Sequence, residues 1–422
     1  MSLAEVPLVL MLLGLVAYAV LGGADFGAAF WQLGAQGEGG RALREHAYRA
    51  MGPVWEANHV WLIFVLVICW TAYPEAFASI FSTLTFPLFV AAIGIILRGT
   101  AYTVHAGTAR EIERRTVDRV FSISSVLTPF ALGAAVGAVA SGRVPVGNAA
   151  GDLVTSWLNP TSLAIGALAV ATGAYVAAVY LAGDAARAGL EKLAVAFRRR
   201  ALGAGIVTGA IAFGGLVVLA FDAERLSDRL FAWPALAAVV ASAVTGLLTL
   251  ELVRRSRFEA ARYGASAAVA AVVVGWALAQ RPELLPGLTV QEAAAGRRTL
   301  VATVVGVAGG AVILTPSLAL LYGLVLRGRF DPGSTEAEAT ARQRTRQGRL
   351  SLFRLAAGAG AIGLPLTLLF DGGLLLALGV ALLFAFVALA SLDLGSAISA
   401  HVADGELEPP ATISTESRPS RD

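Results

Sequence analysis

One cysteine, Cys69, stands alone in the 422 residues. The chain can therefore close no disulfide on itself and can supply no thiolate metal cluster. Charge is equally scarce. Charged residues make up 14% of the chain, where a soluble domain carries roughly 25%, so a compact water-soluble enzyme is not expected. Lysine occurs once, as Lys192, and the net charge of +3 is modest. No segment alternates polar and apolar residues over about ten positions, which speaks against a membrane β-barrel. No fixed short period recurs either, so a solenoid is not indicated.

What the chain does have is length in its apolar runs. Hydrophobic residues reach 57% and mean hydropathy is +0.73. A bilayer core of about 30 Å takes roughly 20 apolar residues in a helix. Nine runs of that kind lie near 3–23, 53–73, 77–98, 120–141, 161–182, 201–220, 233–253, 263–280 and 299–326. Two more, near 352–370 and 373–394, flank Asp371-Gly372-Gly373 and read as a tight hairpin. In lipid every backbone polar group needs an internal partner, so the runs are read as helices. The 46 glycines suit close helix approach there. The expected fold is an all-α polytopic membrane protein: a nine-helix domain over 1–330, a basic loop over 331–351, an extra hairpin over 352–395 and a disordered tail over 396–422.

Orientation follows from lysine and arginine in the loops. The even-numbered loops carry six; the odd-numbered loops carry most of the rest, including Arg198-Arg199-Arg200 and Arg254-Arg255. Odd loops are thus expected in the cytoplasm, with the N-terminus outside and, for eleven spans, the C-terminus inside. The first run has no positive flank before it and is long enough to span, so it is expected to remain as a helix rather than be cleaved. The arginine clusters are read as topology anchors beside the membrane.

Ionisable residues inside apolar runs are expensive, and each is a functional hypothesis. They concentrate in the first hundred residues. Asp25 sits in Gly22-Gly23-Ala24-Asp25-Phe26-Gly27, at the expected cytoplasmic end of the first run. The second run opens Pro53-Val54-Trp55-Glu56-Ala57-Asn58-His59-Val60-Trp61-Leu62. Glu56 and His59, three apart, share a helix face, and Trp55 and Trp61 suit the membrane interface. A desolvated carboxylate beside an imidazole is a pair able to pass protons. The bland alternative is a hydrogen-bonded pair that only packs two helices. Arg98 closes the third run on the same side, either snorkelling to the headgroups or serving as a counter-charge. Glu56-x-x-His59 has the spacing of a di-iron motif, but no second copy exists, so no metal site is expected from this chain. Of the four histidines only His59 falls in a run, which is weak ground for haem.

These motifs resemble those of subunit II of cytochrome bd-type quinol oxidases. The glycine-flanked Asp25 is similar to that family's Gly-Phe-Asp-x-Gly signature. The Pro53–Leu62 stretch resembles its Pro-x-Trp-(Asp/Glu)-(Gly/Ala)-Asn-x-Val-Trp-Leu motif. Thr71-Ala72-Tyr73-Pro74 and Arg98-Gly99 fall in the family's order, so the likeness covers about 10–105. It implies a nine-helix subunit in a bacterial cell membrane, inactive alone, with no haem of its own. It implies a haem-bearing subunit I as partner, holding haems b and d or a third b-type haem, and leaves room for small accessory subunits beside lipid and quinol. The complex would oxidise quinol and reduce dioxygen to water with cytoplasmic protons. Asp25 and Glu56 match the family's acidic positions and become, with His59, the proton-path candidates; Trp55, Asn58, Trp61 and Arg98 support them. No residue marks a quinone site, and the resemblance leaves one open. Many relatives carry an acid where His59 stands. That departure leaves a route through His59 or water, or one mainly through Glu56. The alternatives are a proton-coupled transporter, whose polar sites would lie nearer the midplane and in repeated halves, and a purely structural oxidase subunit.

Overall fold

The computed structural model describes residues 2–33, 35, 37–51, 55–105 and 111–326, with scattered helical positions between 355 and 389. The loop over 331–351, the tail over 396–422 and all but those scattered positions of the hairpin over 352–395 lie outside the described residues. Two compact units divide at Val305, Met1–Val305 and Gly306–Asp422. The first unit carries all the motif residues.

Its elements run α1 (Glu5–Ala17), a π-helical turn (Tyr18–Gly22), α2 (Gly23–Leu33), α3 (Gly37–Met51), α4 (Trp55–Ala72), α5 (Pro74–Thr83) and α6 (Thr85–His105). Then come α7 (Glu111–Ala140), α8 (Pro160–Arg187), α9 (Glu191–Asp222), α10 (Glu224–Leu230), α11 (Ala235–Arg254) and α12 (Phe258–Gln280). A small antiparallel hairpin, β1 (Glu283–Leu285) and β2 (Leu288–Thr289), leads through α13 (Val290–Ala293) to α14 (Arg297–Leu326), which crosses the unit boundary. Helix covers each of the nine expected runs. Seven described helices are long and apolar enough to cross a membrane, and Asn58–Ala72 is a shorter apolar helix.

The boundaries differ from expectation where they matter. The first helix does not end near Gly23 but continues through the π-helical turn to Leu33, a 29-residue span. Asp25 therefore lies about two turns inside it. The third run is split. Pro74 opens α5 at its first turn, a place proline tolerates, and α5 stops at Leu84 before α6 restarts at Thr85. α6 then continues past Arg98 to His105, again about two turns. His46, expected in a loop, lies in α3.

Small residues set the packing around α8. A Cβ on Gly27 would sit 1.9 Å from the Gly173 carbonyl oxygen, so α2 and α8 meet backbone to backbone. Along the same seam Trp31 donates to Ala174 O at 2.8 Å and His46 Nε2 lies 3.2 Å from Leu181 O. The buried core here is mostly alanine and valine from several helices, with an unbroken run from Val176 to Val179 on α8 and with Phe121, Phe197 and Phe258 among the larger members. At the far end, Asp222 closes α9 onto the start of α8. Arg143 grips its carboxylate with both terminal nitrogens, at 2.8 and 3.0 Å, and Thr161 donates from its backbone N–H and hydroxyl.

Candidate functional site

The π-helical turn shapes the site. Gly23 N–H donates to Tyr18 O, five residues back, so one extra residue is held in this turn. Such single π-turns often mark functional positions. Gly22 is needed here because a Cβ would meet the Tyr18 ring at 2.9 Å. The ring lies down along the helix and is buried at 7% exposure.

Asp25 follows one turn later and is 5% exposed. Asn58 from α4, also buried, donates its amide N–H to Asp25 Oδ2. The same amide reaches Leu21 O at 3.4 Å, a long contact to a carbonyl within the π-turn. Asn58 thus ties the irregular backbone of the first helix to the carboxylate it presents.

Arg98 comes from α6 and is 1% exposed. Snorkelling, one of its two expected behaviours, is not what the structure shows. Its guanidinium carbon lies 4.7 Å from the Phe26 ring centre and 5.3 Å from that of Phe121. Cation–π contact of this kind offsets part of the cost of burying a guanidinium. Arg98 also attracts the Asp25 carboxylate electrostatically. Its Nη1 is 3.5 Å from His59 Nε2. A guanidinium can only donate, so that contact needs Nε2 as the acceptor and places the ring proton on Nδ1. The His59 ring packs between Tyr18 at 6.0 Å and Phe26 at 5.8 Å.

The structure thus brings Asp25, Asn58, His59 and Arg98 together from three helices. Trp61 packs edge-on against Phe64 at 6.4 Å and has no described contact with that group. Trp55 and Glu56 open α4, one turn before Asn58 and His59, but their side chains lie outside the described residues. Sequence reasoning missed Tyr18, Phe26 and Phe121, the aromatic walls. Phe26 was legible as Asp25's neighbour; Tyr18 and Phe121 look like ordinary apolar-run residues until the π-turn and the α6–α7 packing place them.

The site fits a haem poorly. Axial ligation needs an imidazole nitrogen facing open space, and Arg98 stands at His59 Nε2 with aromatic rings on both sides of the imidazole. Among the described residues, no group of three or more His, Cys, Asp and Glu side chains could hold a metal ion.

Comparison with known proteins bears on the chain as a whole. The bd oxidase from Geobacillus thermodenitrificans contains a chain of similar structure, with a TM-score of 0.64 at 25% identity over 77% of this chain and 99% of that one. A Bacillus subtilis (strain 168) protein, provisionally described as a cytochrome bd menaquinol oxidase subunit II, is 27% identical over 112 residues. That match spans 26% of this chain and only 32% of the relative's length. Residues 3–325 match the family described as cytochrome bd terminal oxidase subunit II, and the chain belongs to that family.

Proposed function

We propose that this chain serves as subunit II of a bd-type quinol oxidase and helps deliver protons to its partner. The partner is a haem-bearing subunit I, which holds the haems, oxidises quinol and reduces dioxygen to water. The present chain is inactive alone. It crosses a bacterial cell membrane nine times in its family domain and twice more in the C-terminal hairpin. Its N-terminus is outside and its arginine-rich loops face the cytoplasm.

The observation that carries the proton role is one buried group: Asp25 held by Asn58 in the field of Arg98, about two turns inside the arginine-rich face. Each dioxygen reduced to water consumes protons, and they must cross a layer that excludes water. A carboxylate with few fixed partners can take up and release a proton on that route. Glu56, one turn before His59 on the same helix face, is the second carrier. Asn58 orients Asp25, Arg98 supplies the counter-charge, and neutral His59 offers a relay to either acid. Trp55 and Trp61 anchor the opening of α4.

The test is quinol-dependent oxygen consumption by the purified complex, with haem content read from its absorption spectrum. Asp25→Asn and Glu56→Gln are expected to slow turnover while haem content stays normal. Unchanged turnover in both would leave a purely structural subunit. A preparation with neither a second membrane subunit nor haem bands would remove the oxidase reading itself.

A further inference from the structure

Two buried side chains flank Asp25 without a hydrogen-bonding role among the described residues. Gln32 is the second-last residue of α2 and is 9% exposed. Its amide nitrogen is sealed from solvent and has no hydrogen-bond partner among the described residues. Tyr18 opens the π-helical turn, and its hydroxyl is sealed and unpartnered in the same sense. Buried polar atoms in folded proteins nearly always have a partner, either protein or ordered water. Glutamine is mostly exposed in proteins, and near a helix end it has solvent within reach. Gln32 instead turns its amide inward.

The two lie on either side of Asp25. Gln32 follows it by seven residues in regular α-helix, which returns to within about 20° of the same face and about 10 Å further along the axis. Between them that face presents only the methyl groups of Ala28 and Ala29. Such a distance is too long for the Gln32 amide to reach Asp25 directly, whereas a short file of waters at about 2.8 Å a step spans it. On the other side, the Tyr18 ring meets His59 at 6.0 Å, and its hydroxyl feels the charges of both Arg98 and Asp25. Asp25 itself has acceptor capacity to spare. An ionised carboxylate offers about four acceptor sites, and among the described residues Asn58 fills one.

We propose that ordered water occupies this face of the first helix on both sides of Asp25, held by Gln32 at the arginine-rich end and by the Tyr18 hydroxyl at the inner end. The inference rests on the proton role of Asp25 and adds the path by which protons reach it, along α2 from Gln32. A proton taken up by the carboxylate from the Gln32 side is balanced by one released to the Tyr18 side. Gln32 and Tyr18 keep their own protons. Both are positioning residues, fixing waters that make about three hydrogen bonds each in sites of this kind.

The experiment measures quinol-dependent oxygen consumption per haem by the assembled complex, in ordinary and heavy water, beside thermal melts. Gln32→Leu keeps the side-chain volume but cannot hold water. Its turnover should fall about tenfold, short of the roughly hundredfold loss expected for Asp25→Asn, and its solvent isotope effect should rise as proton entry becomes limiting. Gln32→Ser keeps a hydroxyl and makes room for another water, so it should regain most of that loss. Packing alone demands the opposite order, because serine leaves a cavity that leucine fills. Tyr18→Phe keeps the ring over Gly22 and loses only the hydroxyl; its turnover should also fall about tenfold. Melting temperatures of Gln32→Leu and Tyr18→Phe should hold near the wild-type value, since each replaces an unpartnered polar group by an apolar one of similar shape. Wild-type turnover in Gln32→Leu and Tyr18→Phe, or a higher turnover for Gln32→Leu than for Gln32→Ser, would overturn the proposal and leave the proton role of Asp25 standing. Wild-type turnover in Asp25→Asn would remove that role and this inference with it.

Discussion

Asp25 and Asp222 are both carboxylates that join helices, and their surroundings could hardly differ more. Asp222 sits at the end of α9 and receives both Arg143 nitrogens, the Thr161 amide and the Thr161 hydroxyl. An ionised carboxylate offers about four acceptor sites, and here they are filled by donors that cannot leave. Asp25 is buried mid-helix, and its one described hydrogen bond comes from Asn58. Its nearest cation, Arg98, is shared with two aromatic faces and with His59. A saturated carboxylate works as a joint. A sparsely bonded one, buried among groups that can accept or donate, is suited to exchange a proton.

The sharpest break of this comparison is kinetic. Asp25→Asn should lower oxygen consumption per haem by roughly a hundredfold or more, the usual scale for losing a positioned proton-transfer group. Asp222→Asn should leave turnover per haem near wild type and instead lower the melting temperature. Its pair with Arg143 is partly exposed, at 16% and 32%, so the loss is about 1 kcal/mol once solvent screening is allowed for. Equal turnover in the two variants would erase the distinction.

A second effect is thermodynamic. Arg98→Met leaves the buried Asp25 carboxylate without the cation that attracts it, and an uncompensated buried charge is strongly destabilising. Assembled complex should fall steeply, as read by fluorescence-detected chromatography. Adding Asp25→Asn should recover much of the assembly without recovering turnover. If the double variant is no better assembled than the single one, Arg98 is held by its aromatic neighbours rather than by charge.

How much of this is legible in the sequence depends on which physical signal carries it. Apolar run length locates helix at all nine runs, because hydropathy sums the side-chain free energy of moving a run from water into lipid, where the backbone must then bond to itself. The same signal misplaces the ends near Asp25 and Arg98. A charge two turns inside a span lowers hydropathy locally and looks like a boundary, so the runs stop too soon, at Gly23 and at Arg98. The motifs single out Asp25, Asn58 and Arg98 but not the contacts these residues make. The π-turn depends on how Tyr18 lies over Gly22, which no hydropathy pattern encodes. The Asp222–Arg143 joint escapes sequence reading because its partners are far apart in the chain and lie at loop ends, where orientation counting registers only charge.

The packing side of the comparison can be sharpened with glycines. Gly27→Val places side-chain atoms against the Gly173 carbonyl and must push α2 from α8, an overpacking cost of about 1–3 kcal/mol. Because α2 carries Asp25, turnover should fall along with stability. Gly209→Ala, with nothing within 4 Å of the added Cβ, should be neutral or slightly stabilising in its helix. Thermal melts beside oxygen consumption would separate the two, and equal tolerance would mean that the backbone contact does not fix Asp25.

The smallest expected effect concerns an exposed pair, where acid should act on stability rather than on proton delivery. Glu283 begins the β-hairpin and accepts from Arg225, and that hydrogen bond holds its carboxyl below the ordinary value of 4.5. A carboxyl whose folded pKa lies below its unfolded one stabilises the fold fully above the unfolded value. That contribution fades as pH falls through the folded value. Arg225 is 53% exposed, so screening keeps the contribution small. Glu283→Gln should therefore lower the melting temperature slightly at about pH 6, and the difference should shrink as pH falls through the lowered pKa of the folded carboxyl. A difference that persists undiminished into acid would show that the Gln side chain disturbs the hairpin by shape, through Gly287 and the strand pairing, and that the charge of Glu283 contributes nothing.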